Sequence, residues 1–140
     1  MANGVGTRLV HLYYEKFLTA PGDLSVADEI MTDDVVFHNP ISSAAGIHGI
    51  PEYKAFALRW YKGFPDRVFT IEETAEEGDK VACRFTITGT HGGEFAGAQA
   101  TGNRIAVHGM NMFVINGDRI RDVKAFFNPS ELYSPIGVKV

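Results

Sequence analysis

Apolar side chains recur three or four apart at Val10, Tyr13, Tyr14, Phe17 and Leu18, so they share one face of an N-terminal helix, which Pro21-Gly22-Asp23 stops. A shorter amphipathic stretch runs from Leu24 to Met31. Asp33-Asp34 separates it from Val35-Val36-Phe37, a short strand closed by Pro40, which brings no amide proton to a ladder. The clearest helix follows, with Tyr53, Phe56, Ala57, Trp60, Tyr61 and Phe64 on one stripe, Pro51 in its first turn, and Gly63 and Pro65 at its end. From Val68 the period drops to two. Val68-Phe69-Thr70-Ile71 and Val81 to Thr90 read as strands joined at Glu77-Gly78-Asp79, and Arg104 to Ile115 and Arg119 to Phe127 as a second hairpin turning at Asn116-Gly117. His91 to Asn103, with Gly92, Gly93, Gly97 and Gly102, reads as a mobile crossing loop. Three helices followed by antiparallel strands predict a single α+β domain over residues 1–140, its helices on one face of a curved sheet rolled into a cone with an open end.

Composition narrows the chemistry. The 140 residues are 45% hydrophobic and 21% charged, a globular balance, with 13 Lys plus Arg against 17 Asp plus Glu, for a net charge of −4. No basic block is present, which argues against nucleic acid as a partner. No run of about 18 apolar residues and no signal-like start suggest a membrane, so a soluble, cytoplasmic protein is expected. Cys83 is the only cysteine and forms no internal disulfide. The five histidines, at 11, 38, 48, 91 and 108, lack metal-site spacing, so no metal is expected. Ten Phe, five Tyr and one Trp are many bulky rings for one small core, and part of this surface is free to line an apolar pocket.

Candidate acid–base groups lie on the last hairpin. Counting outward from Asn116-Gly117 sets His108 opposite Lys124 or Val123–Ala125, with Asp122 as its diagonal neighbour. An Asp beside a His in an apolar cavity can fix the imidazole tautomer or accept a proton itself; the bland alternatives are a core histidine and an exposed Asp122 paired to Lys124 or Arg121. Arg84 could neutralise an oxyanion or reach out to the sheet surface. His38 and Asn39, just before Pro40, could overhang the cone mouth, and Tyr14 and Trp60 could reach into it.

The runs Phe64-Pro65-Asp66, Glu77 to Thr86, Gly89-Thr90-His91-Gly92-Gly93-Glu94-Phe95-Ala96-Gly97, Thr101-Gly102 and Asn116 to Ile120 resemble the SnoaL-like polyketide cyclase and ester cyclase family, of the NTF2-like superfamily. The resemblance covers roughly residues 8–137. It implies a cone-shaped NTF2-like barrel, a homodimer, no metal or organic cofactor, and acid–base cyclisation or isomerisation of a hydrophobic polyketide or terpenoid-like substrate. Carried over, the family's catalytic Asp and His fall on Asp122 and His108, and its H-x-P after the first strand on His38 and Pro40; Tyr14, His38, Asn39, Trp60, Arg84 and Asn128 are the expected substrate contacts. The chain has Phe37-His38-Asn39 where limonene-epoxide-hydrolase relatives have Tyr-x-Asn, and Lys124 and Asn128 where many members have Trp and Asp. Two other functions fit the same fold: hydrolysis of an epoxide or lactone, and ligand binding without turnover.

Overall fold

In the computed structural model, which describes residues 4–42 and 44–139, α1 (Val5–Leu12) runs into a wider π-helical turn (Tyr13–Leu18). Next come α2 (Val26–Ile30), β1 (Met31–His38), β2 (Ile47–His48) and α3 (Gly49–Gly63). The strands β3 (Val68–Glu77), β4 (Lys80–Thr90), β5 (Arg104–Asn116) and β6 (Arg119–Phe127) follow, and α4 (Pro129–Tyr133) and a 3₁₀ turn (Ser134–Ile136) close the chain. The architecture is α+β, with one curved, open sheet in the order β2-β1-β6-β5-β4-β3. All neighbouring strands are antiparallel except β1 and β6. The helix count differs from expectation, because α4 lies after the sheet. Its signal, Asn128-Pro129-Ser130-Glu131, is a cap and a first-turn proline: Asn128 Oδ1 accepts from Ser130 N–H at 2.9 Å.

The two buried helical segments explain most of the aromatic excess. On α3, Ile50, Tyr53, Ala57 and Trp60 are buried, and the Glu52 carboxylate accepts from the His48 N–H at 2.8 Å, satisfying a donor at the helix start. In the π turn, Thr19 N–H reaches back five residues to Tyr14 O at 3.0 Å. Tyr13, Tyr14, Phe17 and Leu18 are all buried along this turn, on the face that their spacing sets. Tyr13 meets Phe113 edge-on at 5.2 Å and shares a 2.6 Å hydrogen bond between hydroxyls with Tyr53. Fully burying rings of this size contributes about 1.5–3 kcal/mol each.

Arg67 fastens the helical layer to the sheet. Its guanidinium is buried, donates to the carbonyls of Leu18 (2.6 Å), Pro21 (3.0 Å) and Phe64 (3.3 Å), and lies 3.9 Å from the Tyr61 ring centre. The segment 91–103 is likewise pinned rather than open: His91 N–H donates to Asn103 O, Gly92 and Gly93 N–H groups both donate to Gly63 O, and Phe95 packs on Trp60 and Phe64. Gly93 sits so close to α3 that a Cβ there would collide with the Lys62 carbonyl oxygen.

Two local features set which residues of the last hairpin face inward. The turn residues are Gly117 and Asp118, since Asn116 pairs with Arg119; only Gly117 has a positive φ (+66°), which suits a turn with glycine first rather than the type I′ turn expected of Asn-Gly. A bulge then leaves Arg121 unpaired between Ile115–Ile120 and Val114–Asp122. One extra residue reverses the alternation, so Ile120, Val123 and Ala125 are all buried while Arg121, Lys124 and Phe126 are exposed. Among the described residues, no helix is long and apolar enough to cross a membrane.

Candidate functional site

On the concave side, Cys83 pairs with Asn111 and Asn111 with Ala125, so three neighbouring strands present a row of inward positions. Tyr14 of the π turn lies over this row, and Asn111 Nδ2 donates to its hydroxyl at 2.6 Å. Around them is a cavity of about 420 Å³, mouth included, walled largely by Phe37, Phe56, Trp60, Phe69, Phe85 and Phe127. Its polar lining consists of Tyr13, Tyr14, Asn39 and Asn111. Among the described residues, none that lines it is Asp, Glu, His, Lys or Arg.

The amides matter because each has an unused atom. Asn111 is only 5% exposed and its Oδ1 has no hydrogen-bond partner. Asn39 Oδ1 accepts from Ile41 N–H (2.8 Å) and Ser42 N–H (2.7 Å), whereas its Nδ2 is buried without a partner. Leaving a buried polar group unpaired costs about 1–3 kcal/mol, so these atoms are an acceptor and a donor held ready for something polar. The hydroxyls stay protonated near neutral pH: burial pushes Tyr13, Tyr14 and Tyr53 well above the usual phenol range. Burial likewise raises the Cys83 thiol, against the lowering effect of the Tyr14 hydroxyl, to about 12.

Several expected site residues lie elsewhere. His108 points to the convex face with its side chain 64% exposed, its Nδ1 3.4 Å from Glu131 Oε2. Asp122 is also on the convex side, 3.4 Å from Lys124 Nζ, so it pairs as the bland reading supposed. The two are not diagonal neighbours either. Asp122 pairs with Val114, six residues along β5 from His108, which is about 20 Å of strand. The turn position and the Arg121 bulge account for that shift. Arg84 is outside too, bound to Glu73 at 2.7 Å, and Asn128 is committed to capping α4. His38 is half-buried and lines a separate hollow with Lys124 and Phe126; it is not among the residues that line the main cavity. Tyr14, Asn39 and Trp60 line the cavity.

Asn111 is the residue that the sequence reading missed. Its signal was present, since it falls on the alternation Ile105, Val107, Gly109, Asn111, Phe113, Ile115, the more apolar of the two β5 faces. A second hollow, lined by Ile41, Ser42, Phe56, Arg59, Trp60, Phe95, Ala96 and Tyr133, adjoins the cavity and shares Ile41, Phe56 and Trp60 with it.

No curated protein matches the sequence significantly. Among solved structures, a SnoaL-like protein from Jannaschia sp. CCS1 is 22% identical, with 97% of this chain and 94% of that one covered at a TM-score of 0.86. TsrD from Streptomyces laurentii is also 22% identical, over 99% of both chains, with a TM-score of 0.83. IdmH from Streptomyces antibioticus is 26% identical over 94% of this chain and 98% of its own, with a TM-score of 0.78. The first two likenesses speak for the fold alone. The sequence profile described as SnoaL-like polyketide cyclase matches residues 8–135, nearly the whole chain, and the protein belongs to that family.

Proposed function

We propose that the cavity binds an apolar, polyketide-type intermediate carrying a keto–enol group and promotes its ring closure by holding that group between Asn111 and Asn39. The single observation behind this reading is the pair of unused buried amide atoms. An enol O–H can donate to Asn111 Oδ1, and a carbonyl can accept from Asn39 Nδ2–H, so one amide of each polarity suits a β-dicarbonyl or its enol. In an aldol closure the enol carbon's electron pair forms the new carbon–carbon bond, the enol oxygen becomes a carbonyl, and its proton passes to the oxygen of the attacked carbonyl. The amides take no proton in this step. They orient the enol and stabilise the developing oxyanion, in a space where water competes little. His108 and Asp122 do not enter this mechanism, because their side chains are on the other side of the sheet. The test is turnover of a β-polyketone by Asn111→Leu: a fall of about 10²–10³-fold supports the role, the range for losing one such hydrogen bond, and unchanged turnover refutes it.

A second reading, binding without turnover, is favoured by one observation: no cavity-lining group among the described residues titrates near neutrality. Saturable binding of a β-polyketone with no conversion above the uncatalysed rate would establish it. Hydrolytic opening of an epoxide or lactone draws less support, since among the described residues no carboxylate or imidazole that could activate water lines the cavity. Incorporation of solvent oxygen-18 into product would reinstate it.

The convex face supports self-association. Phe126 is 61% exposed there, beside exposed Met110 and Met112, an apolar patch of the kind that marks an interaction surface. Pairing with a second copy through this patch would give the homodimer that the family resemblance implies, and Phe126→Glu should then sediment as a monomer in analytical ultracentrifugation. A wild-type protein that is monomeric at micromolar concentration would exclude this pairing.

A further inference from the structure

The hollow at the cavity mouth has its own chemistry. Its polar side chains are Arg59, Ser42 and Tyr133, all able to donate hydrogen bonds, and no carboxylate lines it among the described residues. Including its open side, it measures about 510 Å³. Arg59 is exposed on α3, with its guanidinium carbon 5.8 Å from the centre of the Phe56 ring, a cavity-wall residue. No carboxylate among the described residues lies within ion-pair distance of it, unlike Lys54, Arg84, Arg104 and Lys124, which are paired. Its charge is felt across the hollow: burial raises the Tyr133 hydroxyl and Arg59 opposes that rise.

An unpaired cation and two hydroxyl donors, set against the cavity by shared Ile41, Phe56 and Trp60, form a place for an anion attached to an apolar body. We infer that Arg59 reads a free carboxylate on the ligand, so the preferred molecule is an acid whose apolar part enters the aromatic cavity and whose carboxylate stays at the mouth. Esters and amides of the same body then bind less well. The inference rests on the cavity's role as a small-molecule site, and it adds which end of the ligand remains outside.

Trp60 is the only tryptophan and belongs to both hollows, so its emission reports occupancy of either one. Anthracene-2-carboxylate and its methyl ester are titrated against wild type, Arg59→Gln and Arg59→Lys, following transfer from Trp60. Wild type should bind the acid about five- to tenfold more tightly than the ester, the range of one partly exposed charge-assisted contact. Arg59→Gln should lose that preference while keeping its affinity for the ester, and Arg59→Lys should retain part of it. The preference should shrink with added salt. Equal affinities in wild type, or a preference that survives in Arg59→Gln, overturn the role of Arg59 alone. Absence of binding by both probes overturns the small-molecule site itself, and this inference with it.

Discussion

Asn111 and His108 are three residues apart on β5 and point to opposite sides of one sheet. The amide is buried against Tyr14 with one atom unused, whereas the imidazole stands in solvent beside Glu131. The same contrast holds on β6, where Ala125 faces the cavity and Asp122 and Lys124 pair outside. Charged groups that look catalytic in the sequence are thus on the side where water and counter-charges screen them, and the uncharged amides are where a substrate would be enclosed. Residue type alone ranks these groups wrongly. The environment decides, because a hydrogen bond in an apolar cavity is worth more than an ion pair in water.

The contrast would break most visibly in turnover. Asn111→Leu is expected to lower conversion of a β-polyketone by about 10²–10³-fold with an unchanged circular dichroism spectrum, while Asn111→Asp leaves a partial rate. Stability gives the next largest effect. Tyr14→Phe deprives Asn111 of its partner inside the cavity and should cost about 1–3 kcal/mol in urea unfolding. Adding Asn111→Leu to Tyr14→Phe should recover part of that loss, because the double variant leaves no orphan; strict additivity would mean that the two groups do not interact.

Alkaline titration separates the faces by pH. Cys83 and the buried tyrosines keep their protons in the folded state to higher pH than when unfolded. Above the ordinary thiol value of 9.0 the unfolded chain therefore binds fewer protons than the folded one, and stability must fall as pH rises. Urea midpoints should show no loss from these groups below about pH 9 and a growing loss from there towards 12, with the start of the decline moved up by about one pH unit in Cys83→Ala. A decline that begins at the same pH in Cys83→Ala would show that the thiol is not the group responsible. The smallest effects belong to the convex face. His108→Ala and Asp122→Asn should each change turnover less than about threefold and stability by within about 0.5 kcal/mol. A hundredfold loss of turnover in Asp122→Asn would reverse the assignment of the two faces.

Much of the scaffold was readable from spacing. The α3 stripe, the extent of β6 and the existence of both long hairpins follow from periods of 3.6 and 2, because these elements bury one face each. The face of β5 was not readable in the same way. Met110 and Met112 alternate with His108 and are apolar, so the two faces of β5 differ less in hydrophobicity than those of α3, although the set from Ile105 to Ile115 is the more apolar. Nor does a sequence announce a bulge: Arg121 looks like any strand residue, yet it moves Asp122 out of the cavity. The π turn is equally silent, because Tyr13, Tyr14, Phe17 and Leu18 have the spacing of an ordinary α-helical stripe. Arg67 went unnoticed because nothing local marks its three carbonyl partners, two of which come from one distant segment, residues 18–21, and the third from its own turn.

Gly93 gives the loop over the mouth a dimensional limit. Its two flanking contacts, the hydrogen bonds to Gly63 O and the packing of Phe95 on Trp60, hold only while that backbone lies flush with the Lys62 carbonyl. The seat of Phe95, which lines the second hollow, therefore depends on position 93 carrying no side chain. Any side chain there would act as a shim, lifting Phe95 away from Trp60 and reshaping that hollow.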